Sequence, residues 1–490
     1  MSESTDKKSL EAYQVVGRAL GPAIFVIMML AAGGQDVMPP AAWKAAAVGL
    51  WMAVWWATEA IPVPVTALLP LVLFDPLGIA SIRDAAEPYA NPTIYLYMGG
   101  FIMALALERC NLHRRIALNI VERTGNDGRR LVGGFMLVCA LLSMWMTNTS
   151  TTMMLLPIVL SVSAVIRENV PGLSDKTRDN FQIAMLLGLA YAASIGGLAT
   201  IIGTPPNALL MAFLAENYGI EISFARWMLV GIPITFLMLP VAWVGLTRFL
   251  FPCEIPASES VKNHLHELRE ELGDIKPPEW RVGILFFCLV MAWMFRQPVT
   301  AALGISGVSD TGIVMTAALL LFILPSGDRA DPRLMTWEEL VRLPWGVLVL
   351  FGGGLSLAAA VSDSGLALWL GELLAPLNVF GTAVLVVAAV TLVIFLTELT
   401  SNLATTATLL PVVAAIAVQA GVPPIMLTVP ITIAASCAFM LPVATPPNAI
   451  VFSTGAISIP QMVRAGLFLN IIGIIIVSVV ALVLAPSLLG

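Results

Sequence analysis

Two short polar runs interrupt long apolar stretches of the chain. Ser143-Met144-Trp145-Met146-Thr147-Asn148-Thr149-Ser150-Thr151-Thr152 leads into Leu155-Leu156-Pro157. Thr397-Glu398-Leu399-Thr400-Ser401-Asn402-Leu403-Ala404-Thr405-Thr406 leads into Leu409-Leu410-Pro411. Asn148 and Asn402 are 254 residues apart, as are Pro157 and Pro411. Further on, Gly203-Thr204-Pro205-Pro206-Asn207-Ala208 returns 241 residues later as Ala444-Thr445-Pro446-Pro447-Asn448-Ala449. Ser, Thr and Asn at a helix start act as caps. Each run should therefore open onto a helix N-terminus, where free N–H groups and the dipole favour an anion. The amides of Asn148 and Asn402 can donate to a carboxylate, and their oxygens can face a small cation. Proline lacks an N–H and disfavours helix before it. The chain should therefore unwind around Thr204 and Thr445. Freed carbonyls and hydroxyl oxygens there make a hard, oxygen-only site suited to Na+.

No Lys or Arg lies in these motifs. A bound anion needs compensation from helix ends, amides, hydroxyls and co-bound cations, so cation coupling is a physical expectation. A single such motif would read as helix packing, because membrane Ser and Thr bond to backbone and Asn joins helices. Two motifs repeated at matching places argue for a site. Glu398 adjoins the second run, and an intramembrane acid is a functional candidate. It could relay protons, fix the turn or raise cation affinity. The matched residue, Met144, is apolar, which favours a structural role.

The elements that must position these residues are membrane helices. Of 490 residues, 58% are apolar and 11% charged, against about 25% charged in soluble proteins. Mean hydropathy is +0.91. These values exclude a soluble enzyme, a disordered chain and a disulfide scaffold, and leave a polytopic all-α membrane protein. Cys110, Cys139, Cys253, Cys288 and Cys437 are scattered, without a CxxC, and read as small apolar packers. His264-x-His266 reads as part of a solvated loop. HExxH, GxSxG and Cys/His clusters are absent, which argues against a membrane enzyme.

A span needs about 20 apolar residues. Eleven are expected, at 19–36, 42–58, 61–80, 93–108, 182–213, 227–248, 282–296, 309–324, 344–361, 424–452 and 465–488. The stretches 131–166 and 382–420 read as re-entrant hairpins with the polar runs at their tips. The arm before the first tip reaches only about 24 Å, short of a ~30 Å core. With residues 1–18 as a cytoplasmic tail, all but Lys44, Arg83, Arg226 and Arg296 of the 25 Lys and Arg fall inside. This asymmetry supports the spans and places the C-terminus outside. A cytoplasmic linker at 251–280 separates a first half, 19–250, from a second, 281–490. Its Val261, Leu265, Leu268 and Leu272 have helical spacing, so it is either a short amphipathic helix or a plain linker. The fourth and ninth spans run in opposite directions, so the halves form inverted repeats, a signature of secondary transporters.

The sequence resembles the divalent anion/sodium symporter family, the sodium-coupled dicarboxylate and citrate carriers. The resemblance covers nearly the whole chain. It rests on Thr58-Glu59-Ala60-Ile61-Pro62 with Thr66-Ala67-Leu68-Leu69-Pro70, the two Asn tips and the two Thr-Pro-Pro-Asn turns. It implies Na+-coupled symport of a C4-dicarboxylate such as succinate, malate or fumarate, by an elevator motion in a homodimer of the cell membrane. Each protomer would hold a dimerising scaffold and a mobile transport domain containing both hairpins and the broken helices 182–213 and 424–452. It implies no organic cofactor. The family's first sodium site maps to Ser143, Thr147, Asn148 and Gly203, and the second to Thr397, Thr400, Asn402 and Ala444. Substrate carboxylates would meet Asn148, Thr149, Ser401, Asn402, Thr204 and Thr445, with Pro205 and Pro446 shaping the turns. The family tip is usually Ser-Asn-Thr. Here Thr147 replaces the first Ser, and Leu403 removes a hydroxyl from the second tip. The alternatives are a sodium-independent dicarboxylate exchanger, a citrate or sulfate carrier, or an anion channel.

Overall fold

The structure, a computed structural model, describes residues 12–34, 37–328, 331–374, 376 and 381–484. Parts of four sequence expectations lie outside the described residues: 1–11 of the tail, 35–36 of the first span, 485–488 of the last span with the C-terminus beyond, and Arg329. In the first half, α1 (Ala12–Ala31) and α2 (Pro40–Thr58) pair closely. A Cβ on Gly17 would fall within 2.6 Å of Thr58 Cβ, so the close approach requires glycine. Arg18 Nε donates to Ala60 O at 2.7 Å. The described chain is thus already helical at Ala12, inside the expected 1–18 tail, and these first turns pack on the end of α2. The third expected span is broken into α3 (Val63–Thr66) and α4 (Leu69–Leu77), with prolines in the first turn of each. Then follow α5 (Ile82–Ala86) and α6 (Pro92–Arg109), the latter capped by the Asn91 side chain.

Next comes α7 (Leu112–Thr124), which the sequence reading did not place. It buries Ala117, Leu118 and Val121 and stops at Gly125. The half is completed by α8 (Gly128–Ser143), α9 (Asn148–Asn169), α10 (Asp175–Gly197), α11 (Pro205–Tyr218) and α12 (Phe224–Val244). The linker holds α13 (Glu259–Glu270), so the amphipathic reading is the correct one, with Val261 and Leu265 buried. In the second half, α14 (Pro277–Leu303) is longer than the expected 282–296 and is followed by α15 (Asp310–Ile323). The series α16 (Trp345–Asp363), α17 (Leu366–Leu374), α18 (Gly381–Leu396), α19 (Asn402–Gln419), α20 (Ile425–Ala435), α21 (Pro446–Phe452) and α22 (Ile459–Val483) repeats α6–α12 in order.

Nine helices among the described residues are at least 18 residues long and apolar enough to cross a membrane, and four shorter apolar helices accompany them. The protein is a multi-pass helical membrane protein. Both first arms, α8 and α18, have 16 residues, about 24 Å. The second arm is thus no longer than the first, although the expected hairpin 382–420 suggested a longer one.

The halves interlock around the motifs. α9 packs on α21, α19 on α11, α10 on α21 and α20 on α11. Ion pairs respect the charge count. Arg109 with Asp331 and Glu339, Arg342 with Glu108, Arg115 with Glu279 and Arg129 with Glu254 all join segments counted as inner, whereas Arg296–Asp310 joins segments counted as outer.

His264 and His266 sit on α13 rather than in a loop. His264 meets Ser161 of α9, while His266 and Arg269 meet Glu122 of α7 at 3.1 and 2.6 Å. The Arg269 hydrogen bond lowers the Glu122 pKa. This pair therefore helps dock α13 at neutral pH, and its contribution is lost as acidification passes through that lowered pKa. A partly exposed pair is worth about 0.2–1 kcal/mol. Glu122→Gln is expected to raise trypsin cleavage after Lys262 and Arg269 about two- to fivefold, measured on the purified protein, with transport unchanged.

Candidate functional site

The two tips and two turns line one cavity of about 860 Å³. Thr147, Asn148, Thr149, Gly203, Thr204 and Pro205 come from the first half. Ser401, Asn402, Leu403, Ala444, Thr445 and Pro446 come from the second. Thr147 and Ser401 are the N-caps of α9 and α19, with near-identical backbone (φ −64°, ψ 144° and φ −63°, ψ 133°). Thr147 Oγ1 accepts from Ser150 N at 3.0 Å. Thr204 and Thr445 precede prolines and are extended (φ −143° in both), as the following ring requires. The chain is unwound between α10 and α11 and between α20 and α21. The N-termini of α9, α11 and α19 thus meet at the cavity, where their N–H groups and dipoles favour an anion.

Ser143 and Thr397 do not line the cavity but stand behind the tips. Asn148 Oδ1 lies 2.6 Å from Ser143 Oγ, and Ser143 Oγ lies 2.7 Å from Ala193 O. The same amide oxygen is 3.0 Å from Ala193 O and 3.3 Å from Gly203 O. Four oxygens therefore converge with one hydroxyl proton among them. Two arrangements satisfy such a cluster: the amide turns over and its nitrogen donates to all three, or a cation sits among the oxygens. The donor set is all oxygen and fits Na+. The second half repeats part of it. Thr397 Oγ1 lies 3.0 Å from Asn402 Oδ1 and 2.8 Å from Ala435 O. Thr400, expected in the second cluster, has its hydroxyl engaged: it donates to Leu396 O at 3.0 Å and meets Thr405 Oγ1 at 2.6 Å.

Sequence reasoning missed what holds the unwound segments. Asn207 Nδ2 donates to Gly197 O, Leu198 O and Thr200 O at 2.8–3.4 Å. Asn448 Nδ2 donates to Ala438 O and Leu441 O at 3.3 and 3.0 Å. Both asparagines are fully buried. The signal was available, since each ends a repeated Thr-Pro-Pro-Asn motif. Glu59, Pro344 and Arg342 also line the cavity. Among the described residues, Arg342 is the one cation that lines it, and Glu108 and Glu339 hold it at 2.6 and 3.3 Å. Its charge is thus largely spent before an anion reaches it.

Residues 14–489 match the family model described as the sodium:sulfate symporter transmembrane region. The chain belongs to this family. Its relatives include two proteins named sodium-dependent dicarboxylate transporter SdcS. The one from Staphylococcus saprophyticus is 39% identical, covering 100% of this chain and 95% of that protein. The one from Staphylococcus aureus is 40% identical, covering 100% and 94%. Two solved structures share the fold alone. The YdaH transporter of Alcanivorax borkumensis aligns with a TM-score of 0.53 at 14% identity, over 84% of this chain and 86% of that one. MtrF of Neisseria gonorrhoeae aligns with a TM-score of 0.55 at 15% identity, over 94% of each chain.

Proposed function

We propose that this family member imports a C4-dicarboxylate such as succinate, malate or fumarate across the cell membrane, coupled to Na+. The observation that carries the reading is the meeting of two Asn tips and two Thr-Pro-Pro turns at one cavity, backed by oxygen clusters. The two carboxylates of the substrate bind from opposite halves, to Asn148, Thr149 and Thr204 on one side and to Ser401, Asn402 and Thr445 on the other. Sodium ions, as co-transported substrates, bind behind the tips at Ser143, Thr147, Asn148 and Gly203, and at Thr397, Thr400, Asn402 and Ala444. Their charge supplies what the tips and turns lack in Lys and Arg. The names of the relatives support both substrates.

The tips are the turns of re-entrant hairpins, α8–α9 and α18–α19, in inverted repeats. Arms of 16 residues, too short to span, support this. The helices α8–α12 and α18–α22 pack mainly on one another, while α1–α6 and α14–α16 form a second group, of which α16 also packs on α11 and α19. This division supports an elevator motion of the first group against the second, the second group forming a homodimer. The N-terminus is cytoplasmic and the C-terminus extracytoplasmic. Glu59 and Arg342, which line the cavity, lie on the side counted as inner, which supports a cavity that faces inward.

The test is uptake of labelled succinate into proteoliposomes, with and without an inward Na+ gradient, and with and without internal succinate. Uptake that needs Na+ and no internal succinate supports the symporter. Uptake that needs only internal succinate overturns sodium coupling in favour of exchange. Flux that does not saturate and ignores Na+ would make it a channel.

A further inference from the structure

The two unwound segments carry the same bend with different hydrogen bonding. In the first, Leu198 N donates to Ile195 O and Ala199 N to Gly196 O. Gly203 N donates to Thr200 Oγ1 at 3.0 Å, and that hydroxyl donates to Met144 O beside the first tip. The segment is therefore nearly self-sufficient, and one hydroxyl ties it to the tip. In the second, Phe439 and Leu441 lie outside any regular element and Met440 is at a bend. Buried backbone N–H groups must find acceptors. All three find the same one: Glu398 Oε1 accepts from Phe439 N and Met440 N at 2.8 and 2.9 Å, and Oε2 from Met440 N and Leu441 N at 3.0 and 3.1 Å. Asn470 Nδ2 donates to Oε1 at 2.7 Å. Glu398 is 3% exposed and Asn470 0%.

The positions correspond. Glu398 stands where Met144 stands in the first half, and Leu441 where Thr200 stands. A carboxylate does in one half what a backbone carbonyl and a threonine hydroxyl do in the other. The helix α22 is shaped for this arrangement. A Cβ on Gly466 would lie 2.3 Å from Phe439 O, so α22 presses directly on the segment. Asn470 is one turn further along the same face and reaches Glu398. Asn448 grips the carbonyls of Ala438 and Leu441 while Glu398 grips the N–H groups of 439–441, so the segment is held through both kinds of backbone group.

We propose that Glu398, oriented by Asn470, is the positioning residue of the second cation site. It joins the hairpin tip, through its neighbours Thr397 and Asn402, to the segment that delivers Ala444 and Thr445. The inference rests on the sodium-coupled reading above. Glu398→Gln keeps the shape but leaves one acceptor oxygen and two N–H donors facing four donors. Asn470→Leu removes one of the four.

Two quantities test this: the Na+ concentration giving half of the Na+-specific rise in melting temperature, against a choline control, and the apparent KM for Na+ in uptake. Glu398→Gln is expected to raise both about tenfold, and Asn470→Leu about threefold, with kcat at saturating Na+ changed less than about threefold. A lower melting temperature with an unshifted Na+ midpoint in both variants would mean a merely structural role and overturn the proposal. If Glu398→Gln does not fold, Asn470→Leu decides by the same criterion. A wild-type protein without any Na+-specific stabilisation would overturn the sodium reading itself.

Discussion

Asn148→Ala is expected to lose at least about a hundredfold in sodium-driven succinate uptake, measured as kcat/KM in proteoliposomes. On the proposed reading the side chain has two tasks. Its outer edge faces the cavity at the N-terminus of α9, where it can donate to a carboxylate. Its inner oxygen lies among Ser143 Oγ, Ala193 O and Gly203 O. A hydrogen bond to a charged partner contributes about 1.5–3 kcal/mol. Losing the anion contact and the cation ligand together reaches the ~2.7 kcal/mol that a hundredfold requires. Asn402→Ala should behave alike, because Asn402 Oδ1 stands before Thr397 in the same way. The tasks can be separated. Asn148→Asp keeps an oxygen toward the cation cluster but sets a negative charge at the cavity. Its Na+-dependent thermal stabilisation should persist while succinate uptake is lost, whereas Asn148→Ala should lose both. Asn217→Ala is the control. That amide donates to Phe213 O one turn earlier and does not line the cavity, so uptake should be unchanged.

Much of this was legible because the repeat carries its chemistry in plain residue types. The Asn tips, the Thr-Pro-Pro turns and the breaks they cause follow from capping and from the missing proline N–H, which are local effects. What lay beyond reach was tertiary. Nothing near Ser143 or Thr397 in sequence announces the carbonyls of Ala193 and Ala435, which are set by the packing of α8 on α10 and α18 on α20. The engagement of the Thr400 hydroxyl by Leu396 O and Thr405 Oγ1 is likewise set by the folded helix ends. The helix α7 was missed for a different reason: Arg114, Arg115, Glu122 and Arg123 mask its apolar stripe when the chain is searched for spans. Arg115 turns out to be structural. It holds the carbonyls of Leu272, Gly273 and Asp274 and the carboxylate of Glu279, closing the linker onto α14. The break at Pro70 was written in the sequence but hidden inside a stretch apolar enough to read as one span.

The repeat is also unequal, and the inequality yields a second large effect. Gly203→Ala is expected to reduce uptake below about 1% of wild type, while Ala444→Gly keeps it within about threefold. The two positions correspond, yet the first turn is drawn tighter. A Cβ on Gly203 would lie 2.5 Å from Gly197 O and 2.9 Å from Gly197 Cα. A Cβ on Gly197 would in turn lie 2.7 Å from Asn148 Oδ1. Those neighbours are backbone and a site residue, so no side chain can swing aside. In the second half both positions are alanine, Ala438 and Ala444, and that turn already accommodates the methyl groups. Overpacking typically costs about 1–3 kcal/mol when a core can adjust. Here adjustment would pull Gly203 O away from the oxygens around Asn148, which is where the damage to transport arises. The distinguishing measurement is the Na+-specific rise in melting temperature, recorded beside uptake. Gly203→Ala should remain folded with that rise reduced, because one cluster is opened while the second stays intact. A Gly203→Ala protein with wild-type uptake would show that the first turn does not hold the cation oxygens together.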